Sequence, residues 1–164
     1  MNNIDITILS AGIYKEILLD GVELLVFESG IIYRKMKSGK WKLITNVDNN
    51  CGGYNRIKIN DKMIKRHRII GYTFLGLDIN DTKQLIDHFD RDKLNNSLTN
   101  LRVVNHQQNG FNRNSKGYSF RKALNKFKAQ IVLNGKNIFL GYFTTEDEAR
   151  AAYQAAKLIY HVIE

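Results

Sequence analysis

Proline is absent from this 164-residue chain, and cysteine occurs once. A single cysteine can form no internal disulfide and cannot supply a multi-cysteine zinc site. Cys51 is therefore expected to be a small, half-buried residue, and the fold has to be held by its core. No stretch approaches the roughly 18 apolar residues that a membrane span needs. The start, Met1-Asn2-Asn3-Ile4-Asp5, has no basic flank ahead of an apolar run, so a secretory leader is not expected either. The expected location is cytoplasmic or nuclear, with no membrane partner. Acidic residues are also in short supply: 16 Asp and Glu face 25 Lys and Arg, a formal net charge of +9. Such a surplus draws in polyanions and releases condensed counterions when phosphates are neutralised. With no long basic amphipathic helix of the membrane-binding kind in view, nucleic acid is the favoured partner.

Because proline and long Gly/Ser linkers are missing, boundaries must come from changes in pattern. Residues 23–66 are strand-rich, with Leu24–Phe27, Ile31–Tyr33, Trp41–Ile44 and Tyr54–Ile59 separated by turn residues such as Ser29-Gly30, Ser38-Gly39 and Asn60-Asp61. A short helix is expected from Arg66 to Leu75, stopped by Gly76. From 84 onward the order is strand, polar loop, strand, helix: Leu85-Ile86, then Asp90–Asn96, then Leu101–Val104, then a helix over His106–Asn112 capped by Asn105.

Past residue 113 the pattern changes again. Tyr118–Lys122 is expected as a first strand, and Phe127–Leu133 carries a two-residue period. Asn134-Gly135 is a strong hairpin signal, and Asn137–Phe143 is the partner strand. Thr145 and Glu148 stand at capping-box spacing ahead of a helix whose inner face is expected to hold Ala149, Ala152, Tyr153, Ala156, Ile159 and Tyr160.

The residues flanking this polar loop are the candidates for chemistry. Metal-assisted phosphodiester cleavage needs a base to activate water, a hard cation, and a scaffold that holds both. Asp87 beside His88 at a strand end offers one metal ligand and one base on opposite sides of the backbone. Asn109, on the helix expected to follow, offers a second oxygen, and a carboxylate with an amide oxygen suits Mg2+ or Mn2+.

The run Ile86-Asp87-His88-Phe89-Asp90 through Asn95-Asn96, Asn100-Leu101-Arg102 and Val104, with Asn109 at its end, resembles the ββα-metal HNH endonucleases of the phage- and intron-encoded branch. The resemblance implies His88 as general base, Asp87 and Asn109 as the two protein ligands of one Mg2+ or Mn2+ ion per active site, and Asn100 as the residue that staples the loop and orients the histidine. Asn109 stands where many of these enzymes carry a last histidine, which favours Mg2+ over Zn2+. His67 and Arg68, in Lys65-Arg66-His67-Arg68, match a basic pair of the same branch; they are either close to the DNA phosphate or part of a surface basic cluster. His106 and His161 match nothing and are expected to be solvated or structural. Segment 22–65 faintly resembles the small module that precedes such cores.

Gly117–Lys122, Phe127–Ile131, Leu140–Thr145 and Glu148–Tyr153 resemble the AP2 DNA-binding domain, three antiparallel strands with a helix behind. The resemblance implies DNA contacts from Lys116, Ser119 and Arg121, and the alternation adds Lys126, Lys128 and Gln130 on the face away from the helix. Ser119 and Phe127 depart from the usual residues there, so no base preference carries over. The expected fold class is α+β: a β-rich region over 1–66, a ββα-metal HNH core over 67–112, and an AP2-like sheet plus helix over 113–164. The expected function is a homing-type endonuclease acting on double-stranded DNA without a small-molecule cofactor, of viral or mobile-element kind. A non-catalytic DNA-binding regulator and a nuclease of little specificity stand as alternatives, and nothing in the pattern selects an oligomeric state.

Overall fold

A computed structural model describes residues 10, 12–48 and 52–163; Cys51 and the first five residues, on which expectations were placed, lie outside these. The fold is mixed α/β, and the chain divides into two compact units, 1–103 and 104–164.

The first unit begins with an antiparallel meander: β1 (Tyr14–Leu19), β2 (Val22–Phe27), β3 (Ile32–Lys35) and β4 (Trp41–Ile44), in that spatial order. β1 was not foreseen. Its residues Glu16 and Leu18 are exposed, so the strand has little apolar alternation to announce it. A two-residue turn joins it to β2 through Asp20 and Gly21, both at positive φ, the geometry that matches strand twist. β2 is covered on both faces, which is why Leu24-Leu25-Val26-Phe27 is a continuous apolar run and not an alternating one. Leu24 and Val26 join a cluster with Ile57, Ile59, Ile69 and Ile70. Leu25 and Phe27 face Tyr14, Tyr33 and Trp41. Each such side chain contributes roughly 2 kcal/mol by leaving water.

The hairpin of β5 (Arg56–Ile59) and β6 (Lys62–Lys65) runs directly into helix α1 (Arg66–Phe74). The helix stops at Leu75 and Gly76, the latter at φ +69, as the sequence suggested. Gly71 lets α1 approach β7 (Leu85–His88) closely, because a Cβ there would stand 2.6 Å from Ile86 Cδ1. After the loop, a 3-10 turn (Leu98–Asn100) leads into β8 (Leu101–Val104), which pairs with β7.

The second unit holds α2 (His106–Phe111), capped reciprocally by Asn105 and Gln108, and then β9 (Tyr118–Arg121), β10 (Lys126–Leu133), β11 (Lys136–Phe143) and α3 (Glu146–Tyr160). The sheet order is β11-β10-β9, all antiparallel. Asn134 and Gly135 take positive φ at the hairpin, and Thr145 and Glu148 form the expected capping box. Backbone N–H donation from Thr145 and the Thr144 hydroxyl hold the Glu148 carboxyl below its usual range. Tyr153 and Ala156 pack on Ile131, Ile138 and Leu140. Ile159 does not join them and is 69% exposed. At 100° per residue it lies about 90° from the line through Ala149, Tyr153, Ala156 and Tyr160, far enough to leave the narrow face that one small sheet can cover.

Candidate active site and nucleic-acid face

β7 ends at Asp87 and His88, both buried. Strand alternation sends the two side chains to opposite faces, and each meets a different set of partners. On the β8 side, Arg102 donates to Asp87 Oδ2 from Nε at 3.0 Å and Nη2 at 2.8 Å, and its guanidinium lies 5.0 Å from the Phe89 ring. The forked contact holds the carboxylate in one orientation.

His88 faces a different environment. Its ring is 5.0 Å, edge to face, from that of His67, and Tyr54 lies against both imidazoles. Burial pushes the His88 pKa down, offset in part by its bond to Asn96 and by Asp90, Asp87 and Asp92. His67 goes further. Burial, then His88, Lys65 and Arg68, carry it from 6.5 to about 3. Both imidazoles are thus held neutral at neutral pH, and a neutral imidazole can accept a proton. Lys65 Nζ and Lys93 Nζ stand over the Tyr54 ring at 4.2 and 4.8 Å, leaving the edge of this cluster cationic.

The loop between β7 and the 3-10 turn is tied by amides. Asn100 Nδ2 donates to Asp90 Oδ1 and to the Asn95 carbonyl, both at 2.8 Å, while Asn100 Oδ1 accepts from the Asp90 N–H at 3.0 Å. Asn95 adds a bond to Asp90 Oδ2, and this is the main cause of the depressed Asp90 pKa. Asn100 thus links the two ends of this loop segment, Asp90 and Asn95. The amide that reaches the histidine, however, is that of Asn96, whose Oδ1 is 3.3 Å from His88 Nε2. The sequence reading gave the orienting role to Asn100 and none to Asn96. Asn96 is 3% exposed, a burial that no one-dimensional signal revealed.

His67 is 5% exposed, so it belongs to the buried cluster and not to a surface basic patch. Arg68 spends its guanidinium on the carbonyls of Asp78, Ile79, Asp81 and Gln84, closing the loop between α1 and β7. Arg66, which the sequence did not single out, is 1% exposed and donates to Asn55 Oδ1 and to the carbonyls of Gly30, Ile44 and Thr45. Burial lowers its pKa to about 10, still well above neutral, so it remains a cation.

Among the described residues no three His, Cys, Asp or Glu side chains group as a metal site. The donors offered by sequence, the Asp87 carboxylate and the Asn109 amide, are hard oxygens and fit a divalent cation of the Mg2+ kind. Asp87 lies in the first unit; Asn109 lies on α2 in the second. His161 stacks on Phe111, with ring centroids 4.1 Å apart, and its Nε2 lies 3.1 Å from the Val132 carbonyl, a structural arrangement. His106 is exposed at the start of α2.

The sheet of the second unit has one face away from α3. Arg121 pairs with Lys126 and Ser119 with Lys128, so these four share that face with Gln130. Lys116 is exposed just ahead of β9. The pairing of β10 with β11 shifts between Ala129 and Gln130. In a regular strand, residues three apart would point to opposite faces. The bulge brings Phe139 and Tyr142 to the same side, their rings 5.1 Å apart, while Leu140 packs inward. Lys128 Nζ lies 5.9 Å from the Phe139 ring. A basic face with two exposed aromatics results, and the aromatics were missed because a period-two reading assigns them to opposite sides. In the first unit, Arg34, Lys35, Lys37, Lys42, Arg56 and Lys58 line a groove with no acidic residue among its walls.

Comparison with known proteins bears on these residues. Residues 65–111 match the HNH endonuclease family. A protein of Acanthamoeba polyphaga mimivirus named as an HNH endonuclease is 39% identical over 72 residues, covering 42% of this chain and 38% of that protein; the chain thus spans well under half of its relative. A solved structure describing DNA binding and cleavage by the HNH homing endonuclease I-HmuI is similar at 26% identity, with a TM-score of 0.49 and 76% of each chain covered.

Proposed function

We propose that this chain is a metal-dependent DNA endonuclease of the HNH type that cuts phosphodiester bonds in duplex DNA at or near a site engaged by its C-terminal sheet. The observation that carries the reading is the end of β7. There a buried, neutral imidazole and a carboxylate fixed by Arg102 point to opposite sides of one strand, within the segment that matches the HNH family. Hydrolysis follows from these groups. His88 accepts a proton from the attacking water, the water oxygen bonds to phosphorus as the bond to the 3′ oxygen breaks, and the departing oxygen takes a proton from solvent, giving a 5′ phosphate and a 3′ hydroxyl. A divalent cation held by Asp87, with Asn109 as the second ligand implied by sequence, would neutralise charge that builds on the phosphate oxygens. Asn100 keeps the loop closed under His88 through Asp90 and Asn95.

The basic face of Ser119, Arg121, Lys126, Lys128 and Gln130, with Lys116 beside it, supplies phosphate and base-edge donors of the kind a groove-reading sheet uses. This supports an AP2-like role and, with the nuclease core, a homing-type enzyme that chooses its site. The cationic groove of the first unit adds sequence-independent attraction. The test is to incubate supercoiled plasmid with the protein and Mg2+, with EDTA and His88→Ala as controls, and to map the ends. Defined ends that require both metal and His88 are expected. Undiminished cutting by His88→Ala, or no cutting by the wild type, would sink the enzyme reading in favour of a DNA-binding regulator. Scattered ends would remove the site preference and leave a general nuclease.

A further inference from the structure

The two asparagines near His88 form a chain whose orientation the backbone dictates. The Leu94 carbonyl accepts from Asn96 N at 3.0 Å, from Asn96 Nδ2 at 3.0 Å, and from Asn46 Nδ2 at 2.6 Å. A carbonyl oxygen can only accept, so both side-chain amides must turn their nitrogens toward Leu94. This settles the assignment of oxygen and nitrogen in each amide. Asn46 Oδ1 is then left to accept from Asn96 Nδ2, as it does at 3.1 Å. Asn96 Oδ1 is left to face His88 Nε2 at 3.3 Å. An amide oxygen facing an imidazole nitrogen requires that nitrogen to carry the hydrogen. In a neutral ring, the lone pair then sits on Nδ1.

We propose that Asn96, locked by Asn46 and the Leu94 carbonyl, is the positioning residue that fixes His88 as the Nε2–H tautomer and so makes Nδ1 the basic nitrogen. The inference rests on the nuclease reading only where it concerns rate; the tautomer is a property of the protein alone. It also gives Asn46 a part in the chemistry. Asn46 follows β4, fifty residues from Asn96 in sequence. Thr45, its neighbour, is held by the buried Arg66, so the outer end of the amide chain is anchored as well as the inner one.

The experiment uses the full chain, labelled with 15N at histidine, in EDTA at pH 7.5. With only four histidines, ring nitrogens can be assigned through single His→Gln variants. Long-range 1H–15N spectra of the wild type are expected to show His88 as a single Nε2–H tautomer. In Asn96→Ala, and to a smaller degree in Asn46→Ala, the ring becomes a mixture of tautomers. With plasmid and Mg2+, kcat falls by about 10- to 100-fold at nearly unchanged KM, a part of the 10²–10⁴ that a positioned base contributes. Asn46 is exposed, so its substitution leaves a folded protein even where Asn96→Ala does not. A wild-type ring carrying its hydrogen on Nδ1, or a His88 ring unchanged in the folded variants, overturns the proposal. If the wild type does not cut, the nuclease reading falls while the spectra still decide this one.

Discussion

Gly30 sits against the backbone of Asn96 so closely that a Cβ on it would stand 2.7 Å from both the Asn96 carbonyl carbon and its oxygen. Its φ of +87 is already a conformation that L side chains rarely adopt. The first unit's meander is thereby pressed onto the loop that carries the candidate active site. Gly30→Ala is expected to cost about 2–4 kcal/mol through strain and overlap together. It should also slow plasmid cutting, because Asn96 must shift. Urea unfolding and a nicking time course check both; a variant with wild-type stability would mean the contact is not tight.

Arg66 tests the same junction from the other side. Removing it strands four acceptors, on Asn55, Gly30, Ile44 and Thr45. Arg66→Met is expected to destabilise by more than about 3 kcal/mol, and Arg66→Lys to recover little, since an ammonium lacks the planar fork that spans these positions. Thermal melting of the three proteins decides it. A lysine variant as stable as the wild type would show that charge alone suffices.

Arg102→Met leaves the Asp87 carboxylate buried without its cationic partner, which costs about 3 kcal/mol or somewhat less given the partial exposure of Arg102. If Asp87 is a ligand, Mg2+ should restore more stability to this variant than to the wild type, because the ion then relieves an uncompensated charge as well as binding. Melting curves with 10-fold steps of Mg2+ measure this. Equal shifts in both proteins would speak against Asp87 as a ligand.

The pH dependence of stability follows from His67. Its folded pKa, about 3, lies below the ordinary 6.5, so the unfolded chain takes up a proton that the folded one refuses. The stabilisation is complete above pH 6.5 and is lost as pH falls toward 3, at about 1.4 kcal/mol per unit, hence roughly 2 kcal/mol by pH 5. Urea unfolding at pH 7.5 and pH 5 should show that loss in the wild type and a smaller one in His67→Phe. Parallel curves would refute it.

On the sheet, Lys126→Ala and Lys128→Ala are each expected to weaken duplex binding across all sequences and to lower the salt dependence by about one unit of slope. Arg121→Ala should instead alter discrimination between sites by about 1–3 kcal/mol. Fluorescence anisotropy at several salt concentrations separates the two. A salt slope unchanged in both lysine variants would remove them from the DNA interface.

Much of this was legible from order alone. The hairpin at Asn134-Gly135, the caps at Asn105 and Thr145, and the strand ending in Asp87-His88 depend on neighbours in sequence, and local chemistry suffices to find them. The parts that escaped depend on distance or on irregularity. Asn46 and Asn96 meet across fifty residues, Arg66 is buried among acceptors from three segments, and Phe139 and Tyr142 share a face only because of a bulge. β1 escaped for a different reason: its outer face is solvated and apolar at Leu18, so no clean period marks it.

The buried guanidinium of Arg66 has a consequence for how this chain can be recombined. A cassette cut at residue 66 would look tidy in sequence, where strands give way to helix. It would nevertheless carry off a cation whose acceptors at Gly30, Ile44 and Thr45 stayed behind. The loop after β7 and the meander before it are therefore a single heritable part, and any chimera that exchanges the C-terminal sheet has to be joined downstream of β7 and β8.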